Sequence, residues 1–160
     1  MMRAKKGFTL VEILIVVVIL GILAAIVIPQ FTNASEEAKE SRLAQDLQSV
    51  RAQIELYKLN HNGDLPGQGG GTANTFVLAM TGFTDQFGDT QTTSGVGVFG
   101  PYLQKIPTNP FVDVNVAQAV TEGTASTNAA SPGDDSSGWY FNTADGFFHA
   151  NDSTNNHNTW

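Results

Sequence analysis

The chain contains no cysteine. Disulfides, thiolate metal sites and cysteine nucleophiles are therefore excluded, and stability has to come from packing or from a bound ion. Positive charge is nearly as scarce. Eight Lys and Arg stand against fifteen Asp and Glu, for a formal net charge of −7. Arg3, Lys5 and Lys6 all precede Gly7, so Lys39, Arg42, Arg51, Lys58 and Lys105 are the only basic side chains after it. A nucleic-acid binder normally shows a basic patch; this composition gives none, and no nucleic-acid partner is expected. The three histidines, His61, His149 and His157, are scattered, with no acid–base pair or nucleophile arrangement around them, so the chain does not read as an enzyme. Long apolar runs are also missing everywhere except at the start. The 160 residues suit one domain plus an anchor. The roughly 130 residues beyond the apolar start can bury a modest core.

What is present is concentrated at that start. A short basic region, 1–6, leads into an apolar run over 8–28 that is broken by one carboxylate, Glu12. About 21 residues at ~1.5 Å rise give a helix of roughly 31 Å, close to the hydrocarbon thickness of a bilayer. The basic residues before the span and Glu36-Glu37 after it orient the N-terminus to the cytoplasm and the remainder to the far side. An ordinary secretory signal shares the basic start and apolar core. Its cleavage would fall before Ser35, where Thr32-Asn33-Ala34 matches the small-residue rule poorly, and Glu12 is out of place in its apolar region.

Pro29 lacks an N–H and crowds the preceding turn, so it should interrupt or kink a helix. The helical pattern nevertheless resumes. Ala34, Ala38, Ser41, Ala44, Leu47, Val50 or Arg51, Ile54 and Tyr57 recur at spacings of three and four and make one amphipathic face. One long helix is thus predicted over 8–60. Asn62-Gly63 and Pro66 end it. The Gly-rich 68–72 stretch is not a phosphate loop, for it has no following Lys-Ser/Thr. Asn74 is placed to cap a short helix, 75–81, closed by Gly82. Residues 85–97 read as a polar loop, and 98–111, with Pro101, Pro107 and Pro110, as an irregular segment laid across a sheet. A short strand is expected over 115–120 and a surface loop over 121–138. Trp139-Tyr140-Phe141-Asn142 and Phe147-Phe148-His149-Ala150 around Asp145-Gly146 predict a β-hairpin. The polar 152–160 segment is expected to fray.

Lys6-Gly7-Phe8-Thr9-Leu10-Val11-Glu12-Ile13 resembles the processing site of type IV prepilins and of the major pseudopilins of type II secretion. The motif is highly specific, and the first ~30 residues carry it. Farther on, Leu56-Tyr57-Lys58-Leu59-Asn60-His61-Asn62-Gly63-Asp64-Leu65-Pro66 and Gly100-Pro101-Tyr102-Leu103-Gln104-Lys105-Ile106-Pro107 with Asn109-Pro110-Phe111 are similar to pseudopilin segments, less tightly. The resemblance implies a pilin fold of the α+β class, with a long N-terminal helix packed on a small C-terminal antiparallel sheet. It implies a leader, 1–7, removed by a prepilin peptidase that cuts between Gly7 and Phe8 and N-methylates Phe8. The next part, 8–30, would be a transmembrane and filament-core half-helix, with helix-weakening Gly21 and Pro29. An exported domain, 31–160, would hold an amphipathic half-helix (31–60), loops and hairpin (61–151) and the polar tail (152–160).

The function implied is a structural subunit of a pilus-like filament or pseudopilus. It would be stored in the bacterial inner membrane with its N-terminus cytoplasmic, then polymerised into a periplasmic or extracellular filament. The alternative is a minor pilin whose C-terminal domain binds a ligand, a surface or DNA. The implied partners are identical subunits, the prepilin peptidase, and an inner-membrane assembly platform with its ATPase. Many type IV pilins close a C-terminal loop with a disulfide, which this chain cannot form, and that favours the pseudopilin branch. Major pseudopilins often hold calcium, and Asp134, Asp135, Ser136 and Asp145 supply oxygens that calcium accepts. A solvated acidic loop accounts for the same residues, and neither a metal nor another cofactor is assigned.

Glu12 needs a physical explanation. An ionised carboxylate near the lipid core costs about 2.5–3.5 kcal/mol on insertion scales. No basic residue lies one turn beyond it. Phe8, four residues earlier, acquires an ammonium once the Gly7–Phe8 bond is cut, and that group can neutralise Glu12 within one chain or set the stagger between two. A carboxylate snorkelling at the membrane edge is the plainer alternative.

Overall fold

The structure, a computed structural model, describes residues 7–68, 71, 75–91, 95, 98–124 and 131–160. It falls into two compact units, Met1–Glu40 and Ser41–Trp160. Helix α1, Leu10–Asn60, contributes to both. Basic residues Arg3, Lys5 and Lys6, the Asn74 cap and part of the 121–138 stretch lie outside the described residues.

In the first unit every described residue from 7 to 39 is exposed. The large side chains of this apolar stretch, from Phe8 to Phe31, are half or more exposed. The helix is continuous through Gly21 and Pro29. Leu, Ile and Val at nearly every position leave no polar face that could turn to water. The stretch is long and apolar enough to cross a membrane.

In the second unit α1 becomes one-sided. Leu43, Leu47, Val50, Ile54 and Tyr57 are buried, at spacings of four and three. This differs from the expected face in two ways. It begins at Leu43 rather than Ala34, and Leu43, not Ala44, is the buried member of the turn before Leu47. The larger aliphatic side chain gains more from burial than alanine does. Gly63, at positive φ after left-handed Asn62, returns its N–H to the Lys58 carbonyl at 2.9 Å and ends the helix.

Helix α2, Phe76–Thr81, is capped by the Thr75 hydroxyl, which accepts from Leu78 N–H, and closed at Gly82. It sets Phe76, Ala79 and Met80 against the α1 stripe. The 85–97 stretch is more regular than a loop. Strands β1 (Phe83–Asp85), β2 (Thr90–Gln91) and β3 (Val98–Phe99) make a small antiparallel sheet in the order β2-β1-β3. Asp85 folds the β1–β2 turn by accepting from Phe87 and Asp89 N–H groups at 2.9 and 3.0 Å. After β3 the chain runs without regular structure, and Met80 O accepts from both Tyr102 N–H and Leu103 N–H.

The second sheet has the order β4-β5-β6, from Val120–Gly123, Trp139–Asn142 and Phe148–Ala150. Strands β5 and β6 are the expected hairpin. Gly146 at its turn has φ +80°, and a Cβ there would stand 2.4 Å from Leu65 Cδ2, so the position suits glycine alone. Strand β4 differs from expectation. It starts where the predicted strand ended, and it pairs with β5 in parallel. Trp139, Phe141, Phe148 and Ala150 face the α1–α2 core. The layout is therefore α+β: one long helix with small, mainly antiparallel sheets.

The 152–160 segment does not fray. Residues His157–Thr159 form a 3-10 turn, and Asp152 and His157 are fully buried. Asp152 accepts from His157 Nδ1 at 2.8 Å, from Asn109 Nδ2 at 3.0 Å and from Thr154 N–H at 3.1 Å. Three donors reaching one carboxylate explain why a polar segment docks.

Candidate functional site: the polar start of the apolar helix

Thr9 immediately precedes α1, and Glu12 is its third residue. The Thr9 hydroxyl accepts from Glu12 N–H at 3.3 Å, while Glu12 Oε2 accepts from Thr9 N–H at 2.9 Å and from the Thr9 hydroxyl at 2.8 Å. This is a capping box, in which a Thr and a Glu three residues apart satisfy each other's orphan backbone donors. Glu12 therefore has a partner in Thr9. The pattern Thr-x-x-Glu was visible in the sequence, and attention to charge alone passed over it. The Phe8 nitrogen in this chain is an uncharged amide, so the Phe8–Glu12 charge pair is not formed.

Farther along, a Cβ at Gly21 would meet no atom within 4 Å. Pro29 cannot donate to the Ala25 carbonyl, one turn back. Thr32 donates its hydroxyl to the Ile28 carbonyl at 3.2 Å, a side-chain bond on the turn that follows the proline.

The acidic residues considered for calcium separate into two places. Asp134 Oδ1 accepts from the Ser136 hydroxyl and N–H at 2.7 and 3.1 Å and from Asn151 Nδ2 at 2.9 Å. The bonds from Ser136 hold its carboxyl below the usual range. Asp135 accepts from the Ser153 N–H and hydroxyl, both at 2.8 Å. Asp145 lies in the β5–β6 turn, where it accepts from Phe147 N–H at 3.0 Å and Asn142 Nδ2 at 3.2 Å. Among the described residues no group of three or more His, Asp or Glu converges as a metal cage. Asn151, fully buried, organises the 131–138 loop instead, bonding Ser131, Gly133, Asp134 and Ser137.

The histidines serve three separate environments. His61 stacks on Tyr57 with ring centroids 3.7 Å apart and bonds Tyr57 O and Thr84 Oγ1, each at 2.9 Å. His149 lies on β6. His157 is sealed with Asp152 between the rings of Phe111 and Trp160. A groove of about 140 Å³ beside Arg51, Ile54, Asp145 and Phe147 falls well below the ~300 Å³ at which small-molecule pockets begin.

Residues 2–28 match the family described as the prokaryotic N-terminal methylation motif. The N-terminal segment is thus similar to that of proteins carrying this motif. Curated relatives match a longer stretch than this motif. The type II secretion system core protein G of Pseudomonas aeruginosa is 46% identical over 59 residues, which are 37% of this chain and 42% of the relative. The proteins of the same name from Dickeya chrysanthemi and Vibrio cholerae are each 39% identical, over 62 and 61 residues, covering 39% and 38% of this chain and 40% and 42% of the relatives. The match thus spans about two fifths of the length of these relatives. No solved structure matches the chain significantly. The matched segment includes Gly7, Phe8, Thr9, Glu12 and Gly21, so the capping box lies wholly inside the matched motif.

Proposed function

We propose that this chain is a structural subunit of a type II secretion pseudopilus or a related type IV pilus-like filament. The observation that carries the reading is one combination. The methylation motif opens an apolar helix exposed on every side, and the buried core starts only at Leu43. A permanent anchor uses Glu12 only to cap its helix with Thr9, whereas a subunit that leaves the membrane can use the same carboxylate in assembly.

On this reading a prepilin peptidase cuts Gly7 from Phe8 and methylates the new amine. The division is 1–7 as leader, 8–30 as membrane span and later filament core, and 31–160 as the exported domain. The N-terminus faces the cytoplasm before assembly. Cutting supplies an ammonium four residues from Glu12. The Glu12 carboxylate, held until then by Thr9, gains a stronger electrostatic partner on its own chain or on the neighbouring subunit. An assembly platform and its ATPase draw the subunit out, and lipid contacts are exchanged for contacts with other apolar helices. Little apolar surface enters water, so extraction does not oppose the hydrophobic effect. Gly21 and Pro29 weaken the helix between them and let it bend or unwind as it packs. The finished filament is periplasmic or extracellular.

The test is filament yield. Glu12→Ala subunits, produced with the cell's assembly machinery, are expected to be processed and inserted at wild-type levels and to give few filaments by electron microscopy. Wild-type yield from that variant overturns the role given to Glu12.

A further inference from the structure

Beyond the apolar span, Phe87 is the most exposed aromatic side chain among the described residues, at 66%. It stands in the β1–β2 turn, and the turn is pinned. Asp85 Oδ1 accepts from the Phe87 and Asp89 N–H groups, the Asp85 carbonyl accepts from Gly88 N–H at 3.0 Å, and Asp85 N–H donates to the Asp89 carbonyl at 3.0 Å. Gln86 Nε2 donates to Asn62 Oδ1 at 2.7 Å, which ties the turn to the end of α1. A ring presented on a fixed turn loses little freedom on binding. The groove beside Arg51, in the same unit, has the matching size. Its volume of about 140 Å³ is close to the ~150 Å³ of an apolar cavity that takes up one benzene ring. Ile54, Gly146 and the half-exposed ring of Phe147 line it. Arg51 adds a cation, its guanidinium held by donation from Nε and Nη2 to the Phe148 carbonyl at 3.0 and 2.8 Å. Of the carboxylates at the groove, Glu55 is paired with Lys58 at 3.0 Å and Asp145 accepts from Phe147 N–H.

We propose that Phe87 of one copy of this chain seats in the Arg51–Phe147 groove of a second copy, a ring-in-groove contact repeated along the filament. The proposal rests on the filament reading above. Phe87 keeps its ring in water within its own chain, so the groove is left for another copy. In the groove a phenyl ring meets the Phe147 ring and the Arg51 guanidinium, and both contacts favour an aromatic over an aliphatic side chain. Ring and groove are different patches at different levels of α1. The groove lies beside Arg51, Ile54 and Glu55, whereas the Phe87 turn is tied to Asn62, past the helix end. Each copy can therefore give its ring to one neighbour and receive a ring from another. A contact between unlike patches propagates as an open helical array when its rotation does not close, which is what a filament requires.

Cross-linking of filaments made by the full chain with the cell's assembly machinery tests this. The chain has no cysteine, so Glu55→Cys at the groove and Asp89→Cys beside Phe87, both exposed positions, supply the only thiols. A short bismaleimide is expected to join filaments of the double variant into a ladder of dimers, trimers and higher species, and to give no ladder with either single variant. Adding Phe87→Ala should abolish the ladder, and adding Phe87→Tyr, which keeps the ring, should retain it. Normal filaments of the double variant without a ladder, or a link that stays within one chain, overturn the contact and leave the filament reading in place. A ladder that survives Phe87→Ala overturns it as well. Should the double variant not assemble, Phe87→Ala alone decides by electron microscopy. Few filaments from a chain with native near-ultraviolet circular dichroism support the contact, and wild-type yield overturns it. An unaltered chain that builds no filament overturns the filament reading and this contact together.

Discussion

Thr9 and Glu12 show how a residue can look anomalous for want of its nearest partner. By charge, Glu12 is a carboxylate in an apolar run with no basic neighbour; by hydrogen bonding, it closes the first turn of α1 with Thr9. Thr9→Ala removes half of the box and should cost the helix start about 1 kcal/mol, seen as loss of amide protection over the first turn. His61 is a second such case. A carbonyl accepts its Nδ1–H, so Thr84 must donate to Nε2. Thr84→Val leaves a buried ring nitrogen bare and is expected to lower stability by about 1–3 kcal/mol in denaturant unfolding. Tyr57, beneath that ring, is pushed up to about 12 by burial first, then by Tyr102, Asp64 and Asp85. Its folded value lies above its unfolded one, so the neutral phenol stabilises the fold fully below about pH 10, and that contribution is lost between there and about 12. Absorbance titration should show tyrosine ionisation extending toward pH 12, and Tyr57→Phe should remove its latest part. None of these three arrangements follows from hydropathy. The Thr-x-x-Glu pattern was written in the chain, while the His61–Thr84 contact joins residues 23 positions apart and needed the fold.

At the scale of elements, the second half of α1 supplies five of the thirteen buried residues of the unit's core. Leu47 is buried and Leu59 is 81% exposed on the same helix. Leu47→Ala should cost about 2–5 kcal/mol, whereas Leu59→Ala should stay within about 0.5 kcal/mol, as measured by thermal or denaturant unfolding. The period of the helix was legible, as were its end at Asn62-Gly63, α2 and the aromatic hairpin, because each is a local pattern. The register of the buried face was not. Ala44 and Leu43 are both apolar, and only the packing of the core chooses between them. The parallel pairing of β4 escaped for a related reason, since strand direction is set by how the chain returns, which no window of sequence contains. The docked 152–160 segment looked frayed because its composition is polar. Its burial depends on Asp152 finding Asn109 and His157, from positions 43 and 5 residues away.

At the scale of the whole molecule, the core and the apolar span occupy different stretches of chain. Every buried side chain of the core lies at Leu43 or beyond, and the apolar span ends before it. A chain beginning at Ser35 should therefore stay in solution without detergent and keep the near-ultraviolet circular dichroism of the full-length protein. Precipitation or loss of that signal would show that the span supports the fold. The central claim concerns the junction before that span. The intact mass of the protein, extracted from membranes of cells that make a prepilin peptidase, tests it most directly. The account predicts a chain that starts at N-methylated Phe8. A mass that retains Gly7, or one that starts at Ser35, would contradict it.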